Sequence, residues 1–268
     1  MPILAGLLLV ASHLCAAAEV RRDPKLPACR PGSCSLVADL RGEIDNASAD
    51  EFIRLDNETR HEAAAKRMSV TRGIIYLDSP GGSVNAAVTI GRYLRARSFV
   101  AAVRPEAKCL SACVLVLAGA PSRGINSEAK VGIHRPYLEV PQQKVSPDAI
   151  RVLYQQMLQD IRSYFHEMNV SEQLADAMLR VEPENMRLLN KDELESYGLT
   201  PRDPVDKEVE EAKEAQRLGV SRAEYMRRLG LMDRACGSLP LDTQQQMEQW
   251  NACITTIYNT GVVPKAAR

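Results

Sequence analysis

Thr71-Arg-Gly-Ile-Ile-Tyr-Leu-Asp78 running into Ser79-Pro-Gly-Gly-Ser83 is the stretch on which the fold turns. Gly73 to Asp78 is strand-like, the two glycines break it, and Val84 to Arg97 carries a helical pattern of apolar residues. Outward from it come a second apolar run, Phe99 to Val103, then Lys108-Cys-Leu-Ser-Ala-Cys113 and the very apolar Val114 to Ala120. A third run, Ala129-Lys-Val-Gly-Ile-His-Arg-Pro136, ends on a histidine beside a proline. A serine, a histidine and a glycine turn thus each stand where a strand meets another element, the place where open α/β sheets carry their chemistry.

Working back toward the N-terminus, Leu36 to Ile44 alternates as a strand. A helix is expected over 50–68, capped by Ser48 or Asp50 and carrying a Glu62/Lys66 ion pair on a solvated face. Strands and helices therefore alternate, which predicts an α/β fold with parallel pairing. Beyond Pro136 the spacing predicts a long amphipathic helix over 147–168, with Ile150, Leu153, Met157, Ile161 and Phe165 on one face. Shorter helices are expected over 171–179 and 191–197, and a charged helical extension over 201–268.

Thirty-four basic and 34 acidic side chains cancel to a formal net charge of zero, so no global field draws the chain to nucleic acid. Residues 1–18 read as a signal peptide: Ile3 to Leu14 is apolar and Ala16-Ala-Ala18 offers a cleavage site. Export is the expected consequence, with an uncleaved N-terminal anchor as the lesser reading. Residues 19–34 read as a leader loop. Of seven cysteines, six remain after Cys15 leaves with the signal. Six allow 15 connectivities; the most local option pairs Cys29 with Cys34, Cys109 with Cys113, and Cys236 with Cys253. No Cys-x-x-Cys occurs, and no metal site or cofactor is expected.

The chemistry centres on three features. Glycines at a strand end leave backbone N–H groups unscreened and able to face a developing oxyanion, although the same residues could form only a turn. Ser111 opens a helix-like segment, where a serine is otherwise an N-cap. His134 follows an apolar strand; His13 leaves with the signal, and His61 and His166 lie on polar helix surfaces. Only His134 is placed to take a proton from a serine.

Tyr76-Leu-Asp-Ser-Pro-Gly-Gly-Ser83, the Ser111 segment ending Leu117-Ala-Gly-Ala120, and Val131-Gly-Ile-His-Arg-Pro136 resemble, in order and rough spacing, the Clp protease proteolytic subunit of the ClpP/crotonase superfamily. The similarity spans roughly residues 35–200, with Leu36 to Ile44 as first strand and Glu193 to Leu199 as closing helix. It implies stacked ββα units, Ser111 as nucleophile, His134 as general base, and the N–H groups of Gly82 (or Gly81) and Ala112 as oxyanion hole. The position of the family's aspartate falls on Met186, with Glu184 or Asn185 as substitutes after a small shift. Cys109 and Cys113 flank the serine where the family has small residues; oxidised, they would staple its turn.

The resemblance implies a serine peptidase acting on peptides or unfolded protein. An exported relative would have no ATP beside it and no ATPase partner. The family's long helix builds subunit contacts, so a homo-oligomer is expected. An inactive relative whose groove binds peptides or an envelope partner is the alternative, favoured by the missing aspartate. A crotonase-type acyl-CoA enzyme would leave Ser111 and His134 unneeded. A Ser/Lys mechanism would make Lys108 or Lys130 the base.

Overall fold

The computed structural model describes residues 18–138, 145–199, 203–240 and 242–264. The expected signal peptide, apart from Ala18, and the expected boundary after Thr200 lie outside the described residues. The chain divides into two units, Met1–Asp203 and Pro204–Arg268.

The first unit begins with strands β1 (Glu19–Arg22), β2 (Cys29–Arg30), β3 (Ser33–Cys34) and β4 (Val37–Arg41), then α1 (Asn46–Ala65) and β5 (Ser69–Val70). The central stretch gives β6 (Ile74–Asp78), α2 (Val84–Ala96), β7 (Val100–Val103), β8 (Lys108–Leu110), α3 (Cys113–Gly119), β9 (Ser122–Ile125) and β10 (Lys130–Ile133). α4 (Pro147–Glu167), α5 (Gln173–Leu179), β11 (Arg187–Leu188) and α6 (Lys191–Ser196) complete it.

Two sheets carry the site. The larger runs β1-β4-β6-β7-β9, all parallel except β1, and the smaller runs β11-β10-β8, with β10 parallel to β8 and antiparallel to β11. Each parallel strand of the first sheet passes into the second layer before its helix. β7 continues to β8 and α3, and β9 to β10 and α4, while β4 and β6 reach that layer only as the bridges Ile44–Gly82 and Ser79–Cys109. This repetition is the stacked ββα arrangement expected from the resemblance. A third small sheet, β2-β3-β5, closes on the Cys29–Cys34 disulfide.

Several expectations shift in detail. Glu19–Arg22, read as part of a leader loop, pairs with β4 as an edge strand, because Val20 is buried while its charged neighbours can stay in water. α1 begins at Asn46 rather than near 50. Asp45, in extended backbone, caps it: its carboxylate accepts from Ser48 N–H at 2.8 Å and Ser48 Oγ accepts from Asp45 N–H at 3.0 Å. Neither Ser48 nor Asp50 is the cap. β9 and β11 were not anticipated.

Packing of the central helices rests on missing side chains. A Cβ built on Gly119 would lie 2.3 Å from Gly91 Cα, and one on Gly91 would lie 1.8 Å from Tyr164 Oη. α2 and α3 therefore touch backbone to backbone, and α4 is locked over them by the Tyr164 hydroxyl, which donates to Leu115 O at 2.8 Å. Only the C-terminal part of α4 has fully buried side chains, Ile161, Tyr164 and Phe165; Val152 and Leu153 are 59% and 56% exposed.

The second unit holds α7 (Pro204–Arg217), α8 (Arg222–Cys236) and α9 (Gln244–Thr260). The Cys236–Cys253 disulfide joins α8 to α9 beside Ile257. No helix among the described residues is long and apolar enough to cross a membrane.

Candidate active site

Ser111 sits between β8 and α3 with φ +54°, the left-handed region that a non-glycine residue occupies only at a cost. It lies before the helix rather than capping it: α3 starts at Cys113, and Ala112 is its N-cap. The turn is held at both ends. Ser111 N–H donates to Gly132 O at 2.9 Å, two residues before His134, and Val114 N–H donates to Ser111 O at 3.0 Å. The Cys109–Cys113 disulfide spans it, and both cysteines are fully buried.

The glycine turn packs directly on this serine. A Cβ on Gly81 would lie 2.6 Å from Ser111 Cβ and 3.1 Å from Ala112 N, so any side chain there would collide with the serine and screen the Ala112 N–H. Gly81 and Gly82 have φ +112° and +135°, which L side chains rarely adopt. Ile44 and Ser79 fix the turn. Ile44 donates its N–H to Gly81 O at 2.7 Å and accepts from Ser83 N–H at 2.8 Å. Buried Ser79 accepts from Gly81 N–H at 3.0 Å through its Oγ. That bond occupies the Gly81 N–H. The N–H groups of Gly82 and Ala112 have no acceptor among the described residues.

His134 follows β10 and is 7% exposed, its ring stacked 6.1 Å from that of Tyr137. Nδ1 lies 3.0 Å from Arg135 O. Ser111, His134, Gly81 and Gly82 line one cleft of about 1170 Å³. Its far wall is α4, through Leu153, Met157 and Ile161, facing Val84 and Val88 of α2. No hydrogen bond joins Ser111 to His134 among the described residues; such bonds commonly tighten only when substrate is present.

The expected third residue is not at the ring. Glu184 and Asn185 are exposed in the turn before β11, where Asn185 N–H donates to Glu182 O, and neither bonds His134 or lines the cleft. Met186 packs its sulfur over β10, 2.9 Å from where a Gly132 Cβ would stand. Lys108 and Lys130, the reserve bases, are exposed at the paired starts of β8 and β10, outside the cleft lining. The sequence pattern singled out the serine, the histidine and the glycines. It did not reveal the roles of Ile44, Ser79 or the Arg135 carbonyl, although Ser79 and Arg135 stand within the quoted Tyr76–Ser83 and Val131–Pro136 motifs.

No family model matches the chain, and no curated protein matches it. Solved structures do. A serine-to-alanine mutant of the 1510-N membrane-bound stomatin-specific protease is 20% identical, with a TM-score of 0.44, over 64% of this chain and 81% of that one. A lysine-to-alanine mutant of the same protease, in complex with a substrate peptide, is 22% identical, with a TM-score of 0.44, over 64% and 76%. A ClpP1 mutant from Listeria monocytogenes is 16% identical, with a TM-score of 0.48, over 61% and 88%. All three likenesses are of fold.

Proposed function

We propose that this chain is an exported serine-type peptidase that cleaves peptides or unfolded protein without an ATPase partner. The observation that carries the reading is the contact of Gly81 with Ser111, which sets a strained serine beside two N–H groups, of Gly82 and Ala112, that have no acceptor among the described residues. An oxyanion needs such a pair of fixed donors, and losing one typically costs about 10²–10³ in rate. Export is supported by the three closed disulfides, which persist in oxidising compartments.

In the proposed reaction Ser111 Oγ attacks the substrate carbonyl carbon and His134 Nε2 takes the hydroxyl proton. The carbonyl oxygen becomes an oxyanion held by Gly82 N–H and Ala112 N–H. Collapse breaks the C–N bond, and the amine leaves with the proton from His134. Water, deprotonated by the same nitrogen, then hydrolyses the acyl-serine ester and restores Ser111. The apolar wall between α2 and α4 would receive substrate side chains. We further propose that the protein works as a homo-oligomer, for which the exposed apolar residues of α4 are the support.

A library of internally quenched peptides, incubated with the oxidised protein, tests this. Turnover that disappears in Ser111→Ala is the expected result. No cleavage by folded, disulfide-bonded protein favours the alternative, a peptide-binding module, for which the missing carboxylate at His134 speaks.

A further inference from the structure

Resting on the peptidase reading, we propose that Arg135 is the positioning residue for His134, its backbone carbonyl replacing the carboxylate that the Met186 position does not supply. A carbonyl oxygen only accepts hydrogen bonds, so the 3.0 Å contact with Nδ1 is a hydrogen bond only when Nδ1 carries the proton. In the neutral ring this leaves the lone pair on Nε2, the nitrogen that must face a serine hydroxyl. Wrong-tautomer histidines lose about 10⁴ in rate in enzymes of this kind, so some group must set the tautomer. Among the described residues no side chain is recorded bonding Nδ1 in competition with the carbonyl. Glu184 and Asn185 are exposed and bonded elsewhere or not at all, and Met186 is a thioether.

The carbonyl is itself anchored. Arg135 N–H donates to Val181 O at 2.8 Å, and the Arg135 guanidinium pairs with Glu182, so the residue is tied to the segment leading into β11 through both backbone and side chain. The β10–β11 pairing, Gly132 with Leu188 and Ile133 with Arg187, continues the same tether. The Tyr137 ring stacks beside the imidazole, with centroids 6.1 Å apart. A carbonyl dipole orients the ring but carries no full charge. It therefore supports the imidazolium formed during attack less than a carboxylate would, and slower turnover than in a complete triad follows.

The test is ¹⁵N NMR of the oxidised protein labelled at histidine nitrogen, with His134 assigned by difference against His134→Asn, at a pH where the ring is neutral. A proton on Nδ1 and an unprotonated Nε2 are expected. A proton on Nε2, or an even mixture of tautomers, overturns the proposal. In parallel, acylation of Ser111 in the Glu184→Gln/Asn185→Ala double variant should stay within twofold of the parent. A tenfold or larger fall would also overturn it, since a side chain would then be holding the ring. If Nδ1 carries the proton but Ser111 never acylates, the peptidase reading fails while the ring's orientation stands.

Discussion

Removing the Cys109–Cys113 disulfide should slow the chemistry of Ser111 while the protein stays folded. Ser111 holds φ +54°, a backbone state that costs about 1–3 kcal/mol for such a residue. Cys109 and Cys113 are separated by 4 positions, so the closed loop runs over the five residues Cys109 to Cys113. For a loop of that length the chain-entropy expression gives about 2 kcal/mol at 25 °C. The two magnitudes are comparable, so without the cross-link the left-handed turn no longer outcompetes relaxed alternatives. A 2 kcal/mol shift corresponds to about 30-fold in population, the upper bound on the expected loss. In a Cys109→Ala/Cys113→Ala variant the rate of fluorophosphonate labelling at Ser111 should fall about 10- to 30-fold. Urea denaturation should move by no more than about 2 kcal/mol. The Cys29→Ala/Cys34→Ala pair, which removes a cross-link in another sheet, serves as control and should label at the parental rate. Labelling of the Cys109/Cys113 variant at the parental rate would mean that the cross-link does not hold the Ser111 turn.

Three further outcomes follow from contacts at or beneath the cleft. Gly81→Ala places a methyl 2.6 Å from Ser111 Cβ in a backbone state alanine disfavours, so Ser111 labelling should drop at least about 100-fold, the cost of losing an oxyanion donor, in a protein whose circular dichroism is unchanged. Gly119→Ala drives a methyl to 2.3 Å from Gly91 Cα, backbone that cannot swing aside; calorimetry should record a loss of about 3 kcal/mol, the upper range for overpacking. Burial pushes the Tyr164 hydroxyl well above its ordinary value of 10.0. Its neutral form is favoured in the fold, so this contribution is complete below pH 10 and is lost as pH rises beyond it. Tyr164→Phe should cost about 1 kcal/mol at neutral pH and flatten the alkaline decline in denaturation midpoint.

Periodicity made the long elements legible. α2 and α4 were expected over 84–97 and 147–168 and form over Val84–Ala96 and Pro147–Glu167, because apolar spacing records which helix face is buried. β9 was not legible. Ser122-Arg-Gly-Ile125 has no strand pattern of its own and pairs only because β7 presents a free edge. α9 falls within the helical extension expected over 201–268, but its bounds were not legible: Gln244-Gln-Gln-Met-Glu-Gln has little apolar spacing, and its helix rests on a capping box at Thr243 and the cross-link at Cys253. At the site, residues whose side chains act were visible. Groups that act through the backbone were not: a carbonyl at Arg135 or an N–H at Ile44 is present whatever the residue, so only the folded geometry reveals it. Counting along the chain ignores direction, and the turn before β11 leaves Glu184 and Asn185 exposed and outside the lining of the cleft.

In the proposed mechanism Ser111 is an activated nucleophile with His134 as its base. The most direct measurement is fluorophosphonate labelling of the oxidised protein followed by mass mapping of the adduct, with Ser111→Ala and His134→Ala alongside. One adduct on Ser111, absent from Ser111→Ala and reduced at least about 100-fold in His134→Ala, is the expected result. An unlabelled serine in protein shown to be folded, or labelling indifferent to His134, would contradict the account.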